Sequence, residues 1–321
     1  ASAATTEGDV SYYRYGNLNL SPSIAMTPKA GVGSSDIGAS GDINVTGAFT
    51  MGGATTSISA GGDFNVLNTV TMNGADNAIS AGGNMNLTTG DVVMNGANSN
   101  TAIIGSVLGI TGGSTLQAGA GKPLDVTAGA VSLDSGTLFS GGDMMLVTPG
   151  DVTMINGSSL ASGTGKLTFL ANNMSITNGA VSGYLGVDGT LFGNLTLGAA
   201  AGGTGYMTAG NGIVDLAIGG SGIEMFNGSY INSTDPTQSA GGQINIFFAS
   251  LSAGGSMIDG FPTFDGGYKV GGSTLATLGN GLDVTYGVLS NPVSDAMIAA
   301  MNTHSSMMNL PCVVRYVLQV S

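Results

Sequence analysis

Ser40-Gly41-Asp42-Ile43-Asn44-Val45 is followed by Ser59-Ala60-Gly61-Gly62-Asp63-Phe64-Asn65-Val66, and then by Ser80-Ala81-Gly82-Gly83-Asn84-Met85-Asn86-Leu87. Aligned, the three copies place Ile43, Phe64 and Met85 in one column and Val45, Val66 and Leu87 in a second, at a step of twenty-one residues. Phe49 and Val70 keep the step, and Val92 follows after one inserted residue. Met51, Met72 and Met94 behave the same way, each opening a Gly-bearing corner, and Ile58 and Ile79 form a further column. Within a copy, apolar residues alternate with small or polar ones, the period of a strand with one dry face. One such coil cannot bury its own apolar face. Stacking coils at roughly 4.8 Å joins each column into a ladder inside a tube. The expected fold is all-β, a parallel β-helix.

Moving outward, the copies loosen but persist. Leu124-Asp125-Val126 with Val131-Ser132-Leu133 makes one coil. Ser140-Gly141-Gly142-Asp143-Met144-Met145-Leu146 restores the opening motif, as does Ser239-Ala240-Gly241-Gly242-Gln243-Ile244-Asn245-Ile246. One solenoid is expected over residues 36–290. Residues 1–35 do not fit the repeat and read as an N-terminal cap or as a strand exchanged with a neighbour. Residues 291–321 read as a short helix at 294–301, with Ser294 as its N-cap, followed by a strand over 312–320. That strand pairs either within its own molecule or with the next one. The candidate assembly contacts are Tyr12, Tyr13 and Tyr15 at one end, and Val313, Val314, Tyr316, Val317, Leu318 and Val320 at the other.

Composition excludes several classes. The net charge is −13 and only six residues are Lys or Arg, so no cluster exists to neutralise phosphates, and nucleic acid is not an expected partner. The 57 glycines follow no every-third-residue rule, which rules out a collagen helix. No apolar run is long enough to span a bilayer. Cys312 is the only cysteine, so no internal disulfide forms. The opening Ala1-Ser2-Ala3-Ala4 fits a mature chain whose leader has been removed, and an extracellular or cell-surface location is expected.

Catalytic groups are scarce. His304 is the only histidine, so a His/Cys zinc site cannot be built and no Ser/His/Asp triad is indicated. Asp42, Asp63, Asn84 and Asp143 recur at what reads as one place in the coil. That place is a corner, where Asp and Asn bond their own backbone, and the tandem repeat of calcium-binding rows is missing. No enzyme activity, cofactor or metal is expected. The 16 methionines read as core filler. Asn-x-Ser/Thr sequons recur along the chain, and those at Asn44 and Asn86 project outward on the strand pattern.

The repeated Ser-Ala-Gly-Gly-Asp/Asn-x-Asn-Val/Leu, with Asn-Gly-Ala corners at 73–75, 95–97 and 178–180, resembles the β-helical repeats of the filamentous haemagglutinin-like bacterial exoproteins over roughly residues 36–250. The resemblance implies secretion, a right-handed β-helix and a role in adhesion or surface structure. The chain is short for that family and shows no counterpart of its Asn-Pro-Asn-bearing secretion domain. The first expectation is a secreted subunit that polymerises head to tail into an extracellular fibre. The second is a monomeric adhesin or carbohydrate-binding protein that recognises surface glycans. A polysaccharide-degrading enzyme and an ice-binding solenoid rank below both, because charged residues and a regular Thr ladder are lacking.

Overall fold

The structure is a computed structural model that describes residues 2–4, 8–28, 32–199, 201–219, 223–226, 229–233, 244–248, 251–254, 274–277 and 282–286. Every element among them is a strand. The helix expected at 294–301 and the strand expected at 312–320 lie outside the described residues, as do His304 and Cys312. The chain divides into two compact units, Ala1–Leu170 and Ala171–Ser321.

In the first unit each turn makes three strands, and each strand pairs in parallel with its counterpart one turn on. The first stack runs from Val10–Arg14 through Ser34–Ala39, Thr55–Ala60 and Asp76–Ala81 into the first half of Ser99–Thr111. The second runs from Leu18–Leu20 through Ile43–Val45, Phe64–Val66 and Met85–Leu87 into the second half of Ser99–Thr111. The third runs from Ser2–Ala4 through Ile24–Thr27, Phe49–Gly52, Val70–Asn73 and Val92–Met94 to Thr115–Ala120. The second unit repeats the scheme. Met174–Thr177 pairs with Leu195–Leu197, Gly179–Gly183 with Gly205–Ala209, and Gly186–Leu191 with Ile213–Ile218.

The registers match the columns read from the sequence. Ile43 faces Phe64 and Phe64 faces Met85, while Met51, Met72 and Met94 stack in line. Leu18 extends the first ladder at one end, and Leu108, Val131 and Val152 extend it at the other. All these side chains are buried. Burying each contributes on the order of 1.5–3 kcal/mol, and the sum over a ladder opposes the entropy of ordering the turns.

The Gly-Gly-Asp motif has a steric cause. A Cβ on Gly61 would strike the Ser40 carbonyl oxygen of the preceding turn, and one on Gly82 would strike that of Gly61. The next glycine of each pair leaves room for a side chain: a Cβ on Gly62 or Gly83 would collide with Oδ1 of Asp42 or Asp63. The two glycines therefore let one corner settle directly on another with a carboxylate between them.

Three readings are corrected by the register. Residues 10–27, which show no repeat in sequence, wind as a turn aligned with all three stacks. Met144–Val147 lies on the first stack, against Leu124 and Leu167, so Asp143 is at the corner entering the first stack and not in the column of Asp42 and Asp63. Ile244–Phe248 likewise pairs with the strand Ile213–Ile218, which follows a third-stack strand. The Gly-Gly pair marks a tight corner at two different places in the turn, Gly61-Gly62 entering the second stack and Gly141-Gly142 entering the first. Finally, not all methionines are core. In the alternation Met144-Met145-Leu146, Met145 takes the outward position and stands 47 % exposed.

Candidate functional site

The Asp/Asn column, read from the sequence as corner-forming, bonds across successive turns. Asn17 Oδ1 accepts from the Asp42 backbone N–H at 3.0 Å, Asp42 Oδ1 from that of Asp63 at 2.9 Å, and Asp63 Oδ1 from that of Asn84 at 2.7 Å. Asn84 Oδ1 continues to the Val107 N–H at 3.1 Å. Each side chain thus caps the corner of the following turn and not its own backbone, which corrects the turn-forming role expected from sequence. Asp143 uses the same device at its different corner, accepting from the Lys166 N–H at 2.8 Å. In the second unit Asn173 accepts from the Asn194 N–H at 2.8 Å. Among the described residues no three of His, Cys, Asp and Glu stand together in a way that could hold a metal ion.

Two residues further along each turn, the outward Asn side chains form a second ladder. Asn44 Nδ2 donates to Asn19 Oδ1 at 2.8 Å, Asn65 to Asn44 at 2.9 Å, and Asn86 to Asn65 at 2.8 Å. The sequon residues Asn44 and Asn86 do point outward, but each amide nitrogen is already committed to its neighbour. Stacked amides of this kind satisfy one another along the axis, as in other parallel in-register sheets.

Two carboxylates are perturbed. Hydrogen bonds from Ser99 Oγ at 2.7 Å and Asn98 Nδ2 at 3.2 Å hold Asp76 below its ordinary value of 3.8. The Ser34 N–H at 2.7 Å does the same to Asp9. A lowered folded-state value means that stability is fully present above the unfolded value and is lost as pH falls through the folded one. Acid unfolding followed by circular dichroism should therefore show this loss only below about pH 4. Asp76→Asn, which cannot titrate, should flatten that limb. An unchanged acid limb would exclude Asp76 as a contributor.

The tyrosines proposed as contacts stand at the first turn. Tyr12 faces Ile37 and Tyr13 faces Gly38 in the register of Val10–Arg14 against Ser34–Ala39. The Tyr13 ring lies over Gly38, where a Cβ would come within 2.8 Å of its Cδ2. Tyr13 and Tyr15 meet edge to face at 5.4 Å and 86°, a favourable arrangement for aromatic quadrupoles. Their exposures are 51 % for Tyr12, 58 % for Tyr13 and 88 % for Tyr15. The remaining contacts, Val313, Val314, Tyr316, Val317, Leu318 and Val320, lie outside the described residues.

Tyr12 is the anomaly. Its column continues as Ile37, Ile58 and Ile79, all buried. A large side chain at a core position is half in solvent because no described strand stacks over it. Sequence reasoning also missed a buried polar column. Ser35, Thr56, Asn77 and Asn100 sit inward at successive turns, each at most 1 % exposed. Its sequence signal is the 21-residue step that Ser35, Thr56 and Asn77 share.

The chain matches no family model, no curated protein and no solved structure. Among the described residues no helix is long and apolar enough to cross a membrane.

Proposed function

We propose that this chain is a non-enzymatic structural subunit of an extracellular, cell-surface fibre or appendage and that it associates with copies of itself end to end. The observation that carries the reading is Tyr12, an inward residue of the solenoid's first stack left half exposed beside two further exposed tyrosines. A parallel edge strand presents unpaired N–H and C=O groups, which favours addition of another strand. A head-to-tail contact between identical subunits does not close on itself, so it propagates. The sparse charge, 8 % of residues, and the resemblance of the repeats to filamentous haemagglutinin-like exoproteins support the same reading.

A second reading, a glycan-binding adhesin, is favoured by one observation. On the third stack of the second unit Tyr206 and Tyr230 hold their rings 4.6 Å apart, giving a compact aromatic surface of the kind that binds partly apolar ligands.

Light scattering and electron microscopy of the purified chain over a range of concentrations should show elongating particles. Tyr12→Ser combined with Tyr13→Ser should abolish elongation while leaving the strand-rich spectrum intact. Monomers that never elongate at high concentration would rule out the fibre reading.

A further inference from the structure

Five Asn-Gly pairs lie among the described residues, at 73–74, 95–96, 156–157, 178–179 and 211–212. As sequence they are equivalent. Each could undergo the same intramolecular reaction, attack of the glycine nitrogen on the asparagine side chain, which a residue without a Cβ leaves unshielded. The fold treats the five differently. The Gly74 N–H donates to Asn77 Oδ1 at 3.0 Å and the Gly96 N–H to Asn100 Oδ1 at 2.8 Å, both in the buried polar column. Gly179 is buried as the first residue of a paired strand, and Asn178 Oδ1 is held by the Thr204 N–H at 3.1 Å. The backbone of Gly212 rests on the Leu185 carbonyl of the preceding turn.

Asn156-Gly157 stands apart. Both residues are exposed. A Cβ on Gly157 would meet nothing within 4 Å, and the Gly157 N–H makes no hydrogen bond to the described residues. The corner is a tight turn with φ of 56° at Asn156 and 81° at Gly157, closed by the Ser158 N–H donating to the Ile155 carbonyl at 3.2 Å. Opening that bond lets the corner turn into the geometry of attack, with no buried partner left behind.

We infer that Asn156 is a site of spontaneous deamidation in the folded protein. The Gly157 nitrogen gives its proton to hydroxide and attacks Cγ of Asn156. The new N–C bond closes a succinimide ring, the bond from Cγ to Nδ2 breaks, and the amide leaves as ammonia with a proton from water. Water then adds to either ring carbonyl and opens the ring to aspartate or isoaspartate. The net change consumes one water and releases one ammonia. It also removes a contact, because Asn156 Nδ2 donates to Asp134 Oδ1 at 2.8 Å. The product sets a carboxylate against that carboxylate. Solvent and salt screen the repulsion at an exposed corner, so the turn persists with an added negative charge. The molecule thereby records its age at one bend without unfolding.

The test is to incubate the full folded chain in mildly alkaline buffer and to follow each Asn-Gly peptide by mass spectrometry, with isoaspartate methylation as a second readout. Asn156 should convert about tenfold faster than Asn73, Asn95, Asn178 and Asn211, the factor that about 1.4 kcal/mol of local opening imposes on those four. Conversion should quicken as pH rises, and circular dichroism should stay strand-rich while it proceeds. In concentrated urea the four should catch up. Asn156 left intact in the folded chain, or converted no faster than the others, would overturn the assignment. A lead for Asn156 that persists in urea would also overturn it, because local sequence and not the fold would then set the order.

Discussion

Phe64→Ala should destabilise the first unit by about 3–5 kcal/mol, the range for emptying an aromatic site in a core that collapses only partly. Phe64 is fully buried, with Ile43 against it on one side and Met85 on the other. At roughly 2–4 °C per kcal/mol for a unit of this size, the melting temperature should drop by about 10 °C. The loss should also be local. Turns of a solenoid interact with their nearest neighbours, so amide exchange should accelerate first in 43–45 and 85–87. Met85→Leu, which keeps the volume, should cost under about 1.5 kcal/mol. Equal effects of the two substitutions in urea unfolding would mean that the ladder is not what holds the turns together.

Asn77→Ala is the second large effect, and its origin is different. The Asn77 side chain accepts from Thr56 Oγ1 at 2.6 Å and from the Gly74 N–H at 3.0 Å, and donates to Asn100 Oδ1 at 2.8 Å and to the Met72 carbonyl at 3.2 Å. Asn100 in turn accepts from the Gly96 N–H and donates to the carbonyls of Gly96 and Pro123. Removing the amide strands several buried partners at once, each costing about 1–3 kcal/mol when left unsatisfied. A total loss of about 3 kcal/mol or more is expected, whereas Thr50→Ala on the exposed face should stay within about 0.5 kcal/mol. A loss below about 1 kcal/mol for Asn77→Ala would show that water or a shifted corner replaces the amide.

These two residues mark the boundary of what could be read from the sequence alone. Phe64, Ile43 and Met85 were legible because a ladder demands an apolar residue at each step, and the step of 21 repeats without gaps. Asn77 was not, because an inward polar residue looks like an ordinary corner residue until its partners one turn away are known. The first turn escaped for a related reason. Leu18 and Leu20 lie 25 residues before Ile43 and Val45, and Tyr12 replaces the isoleucine of its column. Asp143 was misplaced because the motif around it encodes close corner contact, a requirement shared by different corners. As for the candidate site, the aromatic cluster at 12–15 was visible as composition. That Tyr12 occupies an inward position could be seen only from its register against Ile37.

The strands hold their alignment while the connections between them change length. Successive second-stack strands are 21 residues apart from Met174 to Leu195 but 28 apart from Leu195 to Ile223, and the pairing is undisturbed. Insertions at the corners are therefore absorbed, whereas a single added residue inside Phe64–Val66 would turn its dry face outward. Foreign peptides grafted at such bends would be displayed one above another at the spacing of the rungs, which suits the molecule to presenting antigens in ordered rows.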